Sequence, residues 1–201
     1  MKSLLYISIF QILFSNANTM LDQKNNDLST LNNDLITSKS VKQDGPKSTI
    51  INFLRWYKSN EKRLNKIKII KGGLADTATF YSVDFKETEK YLNELKKCNF
   101  LSNTFLYDLR KRFSELDSLL KQHPQNDGPV MGYDFDLIMK AQDYMDVWEN
   151  LNSSKIVSSN ITQNKAIIKL RFIGNYKTIY ILTKHGGKWL LDRLDNAFAD
   201  K

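Results

Sequence analysis

The first hydrophobic pattern with a helical period begins after an unusually polar stretch of the chain. Ser48 is placed to cap this helix, Arg55 points away from its apolar face, and Trp56 lies at the flank of that face. A second helix is predicted from about residue 86 to 98, and it ends at the single cysteine, Cys98. The apolar face of the first helix consists of Ile50, Phe53, Leu54 and Tyr57.

The clearest helical pattern in the chain lies between Ser102 and Pro124. Ser102 is a favoured N-cap residue, and Pro124 cannot continue a helix, so the two residues mark its ends. Residues 123–133 are rich in Pro, Gly, Asn and Asp, which predicts a loop. The apolar face of this helix consists of Phe105, Leu106, Leu109, Phe113, Leu116, Leu119 and Leu120.

The C-terminal third alternates hydrophobic and polar residues with the period of a β-strand. Gly174-Asn175 is a two-residue hairpin signal, and His185-Gly186-Gly187 predicts a second turn. A shorter hairpin across Gly72-Gly73 is predicted within residues 64–85. Helices followed by an antiparallel meander predict an α+β fold, with N-terminal helices packed on a curved C-terminal sheet. The four predicted strands are residues 155–160, 165–173, 176–183 and 188–194.

Residues 1–17 have the layout of a secretory signal peptide. Lys2 is followed by an apolar run over residues 4–14, and Ser15-Asn16-Ala17 places small residues where a signal peptidase cleaves. We therefore expect an exported, soluble protein, periplasmic or extracellular, that starts near Asn18. The alternative for this segment is a buried N-terminal helix or strand.

Residues 18–47 are dominated by Asn, Asp, Ser, Thr and Lys, which predicts a flexible linker. The alternative is a partner-docking helix, because Leu21, Leu28, Leu31 and Leu35 follow a heptad-like spacing. A single domain is then expected over residues 48–201. No second apolar run approaches the roughly 20 residues that a membrane span needs, so the chain is not expected to span a membrane.

An acidic and aromatic segment separates the predicted helices from the predicted sheet. It contains an acidic–aromatic–acidic run, Asp134-Phe135-Asp136, and a Lys-Ala-Gln-Asp element over residues 140–143. Together with Trp148 a few residues on and a β-meander that ends in Gly-Lys-Trp at residues 187–189, these motifs resemble a family of exported bacterial proteins catalogued as a domain of unknown function. The candidate binding or pocket residues are Trp56, Tyr133, Asp134, Asp136, Gln142, Asp143, Trp148 and Trp189.

The resemblance covers roughly residues 48–201 and implies the cone-shaped α+β fold of nuclear transport factor two, in which a curved antiparallel sheet wraps around helices. Many members of the family look like lipoproteins, but this chain has no cysteine after its apolar N-terminal run to carry a lipid. The fold hosts isomerases, dehydratases, immunity proteins and plain binding modules. The function must therefore be argued from the site.

The acids of this segment have two chemical interpretations besides a structural one. A buried carboxylate becomes a usable base, so Asp134, Asp136 or Asp143 could transfer protons. Three carboxylates could also hold a hard cation, although the spacing is not that of an EF-hand. The alternative is that they are solvated, or cap a helix starting near Leu137. We assign no catalytic residue, no metal and no cofactor, since His123 and His185 fall in turns and no nucleophile or phosphate-loop motif occurs.

Charge is distributed unevenly along a chain whose net charge is +8. Residues 55–71 hold seven basic residues against Glu61 alone, whereas residues 127–149 hold six acids against Lys140 alone. The two charged segments are either solvated faces, or faces whose opposite charges neutralise each other in the fold, or binding surfaces. An exported protein seldom meets nucleic acid, so the expected partner is a protein or an anionic envelope component. The predicted basic patch is Arg55, Lys58, Lys62, Arg63, Lys66 and Lys68.

Two functions follow from these features. The first is a non-catalytic exported binding protein, for example an immunity-like inhibitor. The alternative is a small-molecule pocket with a carboxylate, enzymatic in the manner of an isomerase or dehydratase. A cavity lined by Trp56, Tyr91, Phe172 and Trp189 would favour the pocket, and a cone filled by those side chains would favour the binding protein.

Overall fold

The chain has an α+β fold in which helices are followed by a four-stranded antiparallel sheet. The computed structural model describes residues 45–73, 79–142, 144–173 and 176–196. The predicted signal peptide, most of the predicted linker and the Gly174-Asn175 turn lie outside the described residues. The helices are α1 (Pro46–Leu64), α2 (Phe85–Lys96), α3 (Asn103–Gln122) and α4 (Met145–Glu149), and the strands are β1 (Ile70–Lys71), β2 (Ser82–Val83), β3 (Lys155–Ile161), β4 (Lys165–Arg171), β5 (Lys177–His185) and β6 (Lys188–Asn196).

Helix α1 begins two residues before the predicted start of the domain, and Ser48 is not its cap. Gly45 occupies the N-cap position and Pro46 the first helical position, where proline's missing N–H costs no hydrogen bond. The predicted apolar face is confirmed, because Ile50, Phe53, Leu54 and Tyr57 are all buried. Arg55 is exposed and Trp56 half-buried, as predicted.

Side-chain caps begin the next two helices. The Asp84 carboxylate accepts hydrogen bonds from the backbone N–H groups of Lys86 and Glu87 at the start of α2. Ser102 caps α3 as predicted, with its hydroxyl accepting from Phe105 N–H. The hairpin across Gly72-Gly73 is present, but β1 and β2 pair over only two residues each.

The four main strands pair in sequence order, β3-β4-β5-β6, and the sheet is not closed. Helices α1 and α3 pack against its inner face. A backbone bridge between Leu101 and Leu191 covers the β6 edge. The residues that fill the space between helices and sheet include Ala166, Ile168, Leu170, Tyr180, Leu182, Leu191 and Leu194, each at most 3% exposed.

Of the predicted set Trp56, Tyr91, Phe172 and Trp189, Tyr91 lines a cleft between the helices and the acidic segment, and the four residues do not line one cavity together in the described part of the chain. Phe172 and Trp189 are 4% and 7% exposed. Phe172 and Trp189 therefore belong to the hydrophobic core, and Trp56 packs half-buried against it. Cys98 is buried, and its sulfur accepts a hydrogen bond from Phe100 N–H.

The prediction of a helix that starts near Leu137 is wrong. Residues 137–139 form a tight turn, and the helix of this region, α4, starts at Met145. Lys140 ends the turn with a positive φ of 53°, a left-handed conformation in which an α-helix cannot continue. The turn buries Ile138 and Met139, each 1% exposed, in the core.

Candidate functional site

A cleft of about 560 Å³ lies where α1 and α2 meet the acidic and aromatic segment. Four tyrosines and two carboxylates contribute to its wall. The full lining is Tyr57, Leu64, Asn65, Ile67, Ile69, Tyr91, Pro129, Val130, Tyr133, Asp134, Phe135, Asp136, Leu137, Gln142 and Tyr144. We call it the tyrosine cleft.

Asp136 and Tyr57 form the centre of the tyrosine cleft. Tyr57 lies on the buried face of α1 and is 1% exposed. Its hydroxyl donates a hydrogen bond of 2.7 Å to Asp136 Oδ2. A buried tyrosine hydroxyl needs such a partner, and the bond ties the acidic segment to the first helix.

The other oxygen of Asp136 shapes the turn that follows it. Oδ1 accepts from the N–H groups of Ile138 at 2.9 Å and Met139 at 2.6 Å. Aspartate commonly holds its own following backbone in this way. The far side of the turn is attached to the sheet, because Tyr176 donates to Met139 O and Asn196 donates to Lys140 O. The turn is therefore held on one side by the Asp136 carboxylate and on the other side by the sheet.

Burial raises the pKa of Asp136 above its ordinary value of 3.8. The hydrogen bonds from Met139, Tyr57 and Ile138 lower it, while the charge of Glu61 raises it further. Burial dominates, since removing a carboxylate from water disfavours its charged form. Asp136 therefore takes up a proton at a higher pH than a surface aspartate does.

The tyrosines around Asp136 hold their protons strongly. Burial, followed by the charge of Asp136, raises the pKa of Tyr133 to about 12 and raises the pKa of Tyr91 as well. Tyr144 donates to Glu61 Oε1, and its pKa is raised first by burial and then by that bond. At neutral pH these side chains are therefore neutral hydroxyls.

A loop closes one side of the cleft, and Gln125 holds that loop in shape. Its side-chain amide donates to the backbone oxygens of Asp127 and Pro129, and its oxygen accepts from Met131 N–H. Gln125 O in turn accepts from Tyr81 N–H, which fixes the loop to the first hairpin. Pro129 and Val130 are thereby placed in the wall.

The tyrosine cleft is electronegative in a chain of positive net charge. Asp134 and Asp136 line it, and Glu61 lies close enough to influence Asp136. Within the described ranges, no Lys, Arg or His contributes to the lining. Hydrogen-bond acceptors and aromatic faces suit a ligand that carries positive charge or several donor groups.

The structure brings four of the predicted site residues into one cleft: Tyr133, Asp134, Asp136 and Gln142. Trp148 lies behind it, with its ring packed on Tyr57 and Tyr144 at centroid distances of 6.0 and 5.4 Å. Trp56 and Trp189 do not line the cleft, and Asp143 lies outside the described residues.

Tyr57, Tyr144 and Glu61 are site residues that no sequence motif identifies. The spacing of Tyr57 predicts only a core residue on the apolar face of α1. The available signal was the hydroxyl: a tyrosine at a core position must find a partner for it, and Asp136 is that partner.

The predicted basic patch is not one free surface. Arg63 forms an ion pair with Glu94, and Lys58 donates to Trp148 O at 3.0 Å. Lys62, Lys66 and Lys68 are exposed. Within the part of the chain that the structure describes, no ion pair joins residues 55–71 to residues 127–149, so the two charged segments do not neutralise each other by direct pairing.

No group of three or more His, Cys, Asp or Glu residues that could hold a metal ion occurs among the described residues. His123 and His185 are exposed, His123 at the C-cap of α3 and His185 at the end of β5.

Neither a protein-family model, nor a curated protein, nor a solved structure matches this chain. The helices within the described ranges are each too short or too polar to cross a membrane.

Proposed function

We propose that this is a non-catalytic binding protein and that the tyrosine cleft holds a small ligand with a cationic amine group. The observation that carries the proposal is the lining itself: four tyrosines with Asp134 and Asp136, and no basic side chain among the described residues. We also propose that the protein is exported and that it has the cone-shaped fold of the family that it resembles.

A cationic amine suits the chemistry of the cleft in two ways. A carboxylate forms stronger hydrogen bonds with a charged donor than with a neutral one, especially where water is excluded. Tyrosine ring faces attract cations through their quadrupole, typically by about 0.5–2 kcal/mol. The apolar walls formed by Leu64, Ile67 and Val130 accommodate the carbon body of such a ligand.

The hydrogen bonds of Asp136 favour binding over catalysis. Oδ1 already accepts from two backbone N–H groups and Oδ2 accepts from Tyr57. A general base must accept a proton from its substrate, and each of these bonds competes with that step. The same bonds hold a carboxylate in a fixed position, which a binding site requires.

The binding proposal is tested with benzylamine and its neutral analogue benzyl alcohol. We expect saturable binding of benzylamine, followed by ¹H–¹⁵N chemical shifts of the cleft residues, and much weaker binding of the alcohol. Asp136→Asn removes the charge with little change in shape and should weaken benzylamine binding about tenfold. Asp146→Asn is the matched control, because Asp146 is an exposed acid of the same segment that does not line the cleft.

Equal binding of the amine and the alcohol would contradict a cation-selective cleft. An equal loss in the two variants would show that only the overall charge matters. Binding should also weaken as pH falls through the raised pKa of Asp136, because the protonated acid no longer attracts a cation.

A second candidate function is acid–base catalysis in the same cleft, favoured by the raised pKa of Asp136. Its test is deuterium incorporation from D₂O into a panel of 1,3-dicarbonyl and β-hydroxy carbonyl compounds. Incorporation that is catalysed by the native chain and abolished in Asp136→Asn would establish proton transfer and replace the non-catalytic proposal.

A further inference from the structure

A second cleft, of about 370 Å³, lies between the start of α1 and the turn that precedes β3. It is separate from the tyrosine cleft and shares no lining residue with it. Its lining is Lys47, Ser48, Ile51, Asn52, Arg55, Leu151, Asn152 and Ser154.

The first turn of α1 supplies backbone donors that have no acceptor among the described residues. The helix is 19 residues long, its N-cap Gly45 provides no side-chain cap, and its first turn contains no acidic residue. Within the described ranges, Thr49 N–H is the first of the helix to donate to a backbone acceptor, Gly45 O. The N–H groups of Lys47 and Ser48 belong to the orphan donors of a helix start, where the helix dipole also favours negative charge.

Two cations line the cleft, and their partners in the described residues are neutral. Lys47 Nζ donates to Ser154 O at 3.1 Å. Arg55 donates to the side-chain oxygens of Asn152 at 2.6 Å and Asn52 at 3.2 Å. Each cation keeps further N–H donors, since an ammonium has three and a guanidinium five. No acid lines the cleft within the described ranges.

Ser154 gives an independent indication of a missing partner. The residue is 5% exposed, and its Oγ has no hydrogen-bond partner among the described residues. A buried hydroxyl without a partner is uncommon, because the desolvation of the group is then uncompensated. Ser154 lies in the lining of this same cleft and its backbone oxygen contacts Lys47.

We propose that this cleft binds a phosphate or sulfate group, held by Lys47, Arg55, Ser154 and the first turn of α1. A tetrahedral oxyanion has several acceptor oxygens and can use donors that approach from a helix start, two cations and a hydroxyl. The sequence predicts a protein or an anionic envelope component as the partner, and this proposal assigns the contact with an anion to one end of the basic segment, at Arg55. It does not depend on the ligand of the tyrosine cleft.

The test is titration with inorganic phosphate at constant ionic strength, with chloride as the reference anion, followed by calorimetry and by chemical shifts around Ser154. Lys47→Gln and Arg55→Gln should each weaken phosphate binding about tenfold, and Ser154→Ala more modestly. Lys62→Gln removes the same charge from an exposed position of the same helix and should leave the affinity unchanged.

In the second arm of the test, binding to vesicles that contain phosphatidylglycerol is compared with binding to vesicles of phosphatidylcholine alone. Binding of free phosphate alone assigns the site to soluble phosphate groups, and Arg55-dependent binding of phosphatidylglycerol vesicles assigns it to lipid head groups. Either result supports the site.

Absence of binding in both arms would overturn the inference. So would an equal loss of affinity in Lys62→Gln and Arg55→Gln, because binding would then be diffuse. Urea unfolding of each variant without phosphate separates lost binding from lost structure, since Lys47 and Arg55 also attach the 151–154 turn to α1.

Discussion

Replacing Tyr57 by Phe removes one hydroxyl from the centre of the tyrosine cleft and leaves the ring in place. The ring remains in contact with Phe53 and Trp148, so the packing of α1 is retained. What is lost is the 2.7 Å hydrogen bond to Asp136 Oδ2. Asp136 is half-buried, so we expect a water molecule to replace the hydroxyl only in part.

The magnitude follows from the charge of the acceptor. A hydrogen bond to a charged group contributes about 1.5–3 kcal/mol to stability. For a domain of this size, that corresponds to a fall in Tm of roughly 3–12 °C. The loss should be largest at high pH, where Asp136 is ionised, and should diminish as pH falls through its raised pKa. Removing the bond also raises that pKa further, because the bond from Tyr57 lowers it.

The assay is urea unfolding of the native chain and Tyr57→Phe across a pH series from about 4 to 8. Tyr107→Phe is the matched control: Tyr107 lies on α3 and is 63% exposed, so its variant should stay within about 0.5 kcal/mol of the native chain. The reasoning is refuted if both variants lose the same stability at pH 8, or if the loss in Tyr57→Phe does not diminish at low pH.

Three further predictions concern the cap of α3, the hairpin of β1 and β2, and the cap of α2. Ser102→Ala removes the N-cap of α3 and should cost about 1 kcal/mol in thermal unfolding, whereas Ser118→Ala on the exposed face of the same helix should cost much less. Gly73→Ala should destabilise by at least about 2 kcal/mol in urea unfolding, because Gly73 has a φ of +64° and a Cβ there would lie 2.2 Å from the Tyr81 ring; a near-neutral result would contradict the described hairpin. Hydrogen bonds from the start of α2 lower the pKa of Asp84, so the stability that this carboxylate contributes is present above its ordinary pKa of 3.8 and is lost as pH falls through the lowered value. Asp84→Asn should therefore make stability depend less on pH in the acid range. An unchanged pH dependence would argue against the cap.

Local patterns explain why the elements of the fold were predictable. The apolar faces of α1 and α3, the Ser102 cap and the alternating strands of the sheet each depend on residues close together in sequence. The error at Leu137 has a physical cause, because Asp136 caps a turn there rather than a helix and Lys140 adopts a left-handed conformation. Sequence alone does not distinguish these two uses of an aspartate.

The site was predictable only in part, because it joins residues that are distant in the chain. The acidic and aromatic segment was identified from its composition, and Tyr133, Asp134, Asp136 and Gln142 do share one cleft. Its opposite wall comes from Tyr57 on α1 and Tyr91 on α2, whose helical spacing is that of core residues. The prediction that Trp56 and Trp189 line the site depends on residue type alone, and residue type does not determine where a side chain lies in the fold.

The central claim is that Asp136 is a half-buried carboxylate whose charge governs binding in the tyrosine cleft. It is tested most directly by following the ¹³C carboxyl resonance of Asp136 through a pH titration, with and without benzylamine. We expect a pKa above 3.8 in the free protein, because burial dominates, and a lower pKa when benzylamine is bound, because a cation stabilises the charged form. A pKa at or below 3.8 in the free protein, or one that saturating benzylamine leaves unchanged, would contradict the account.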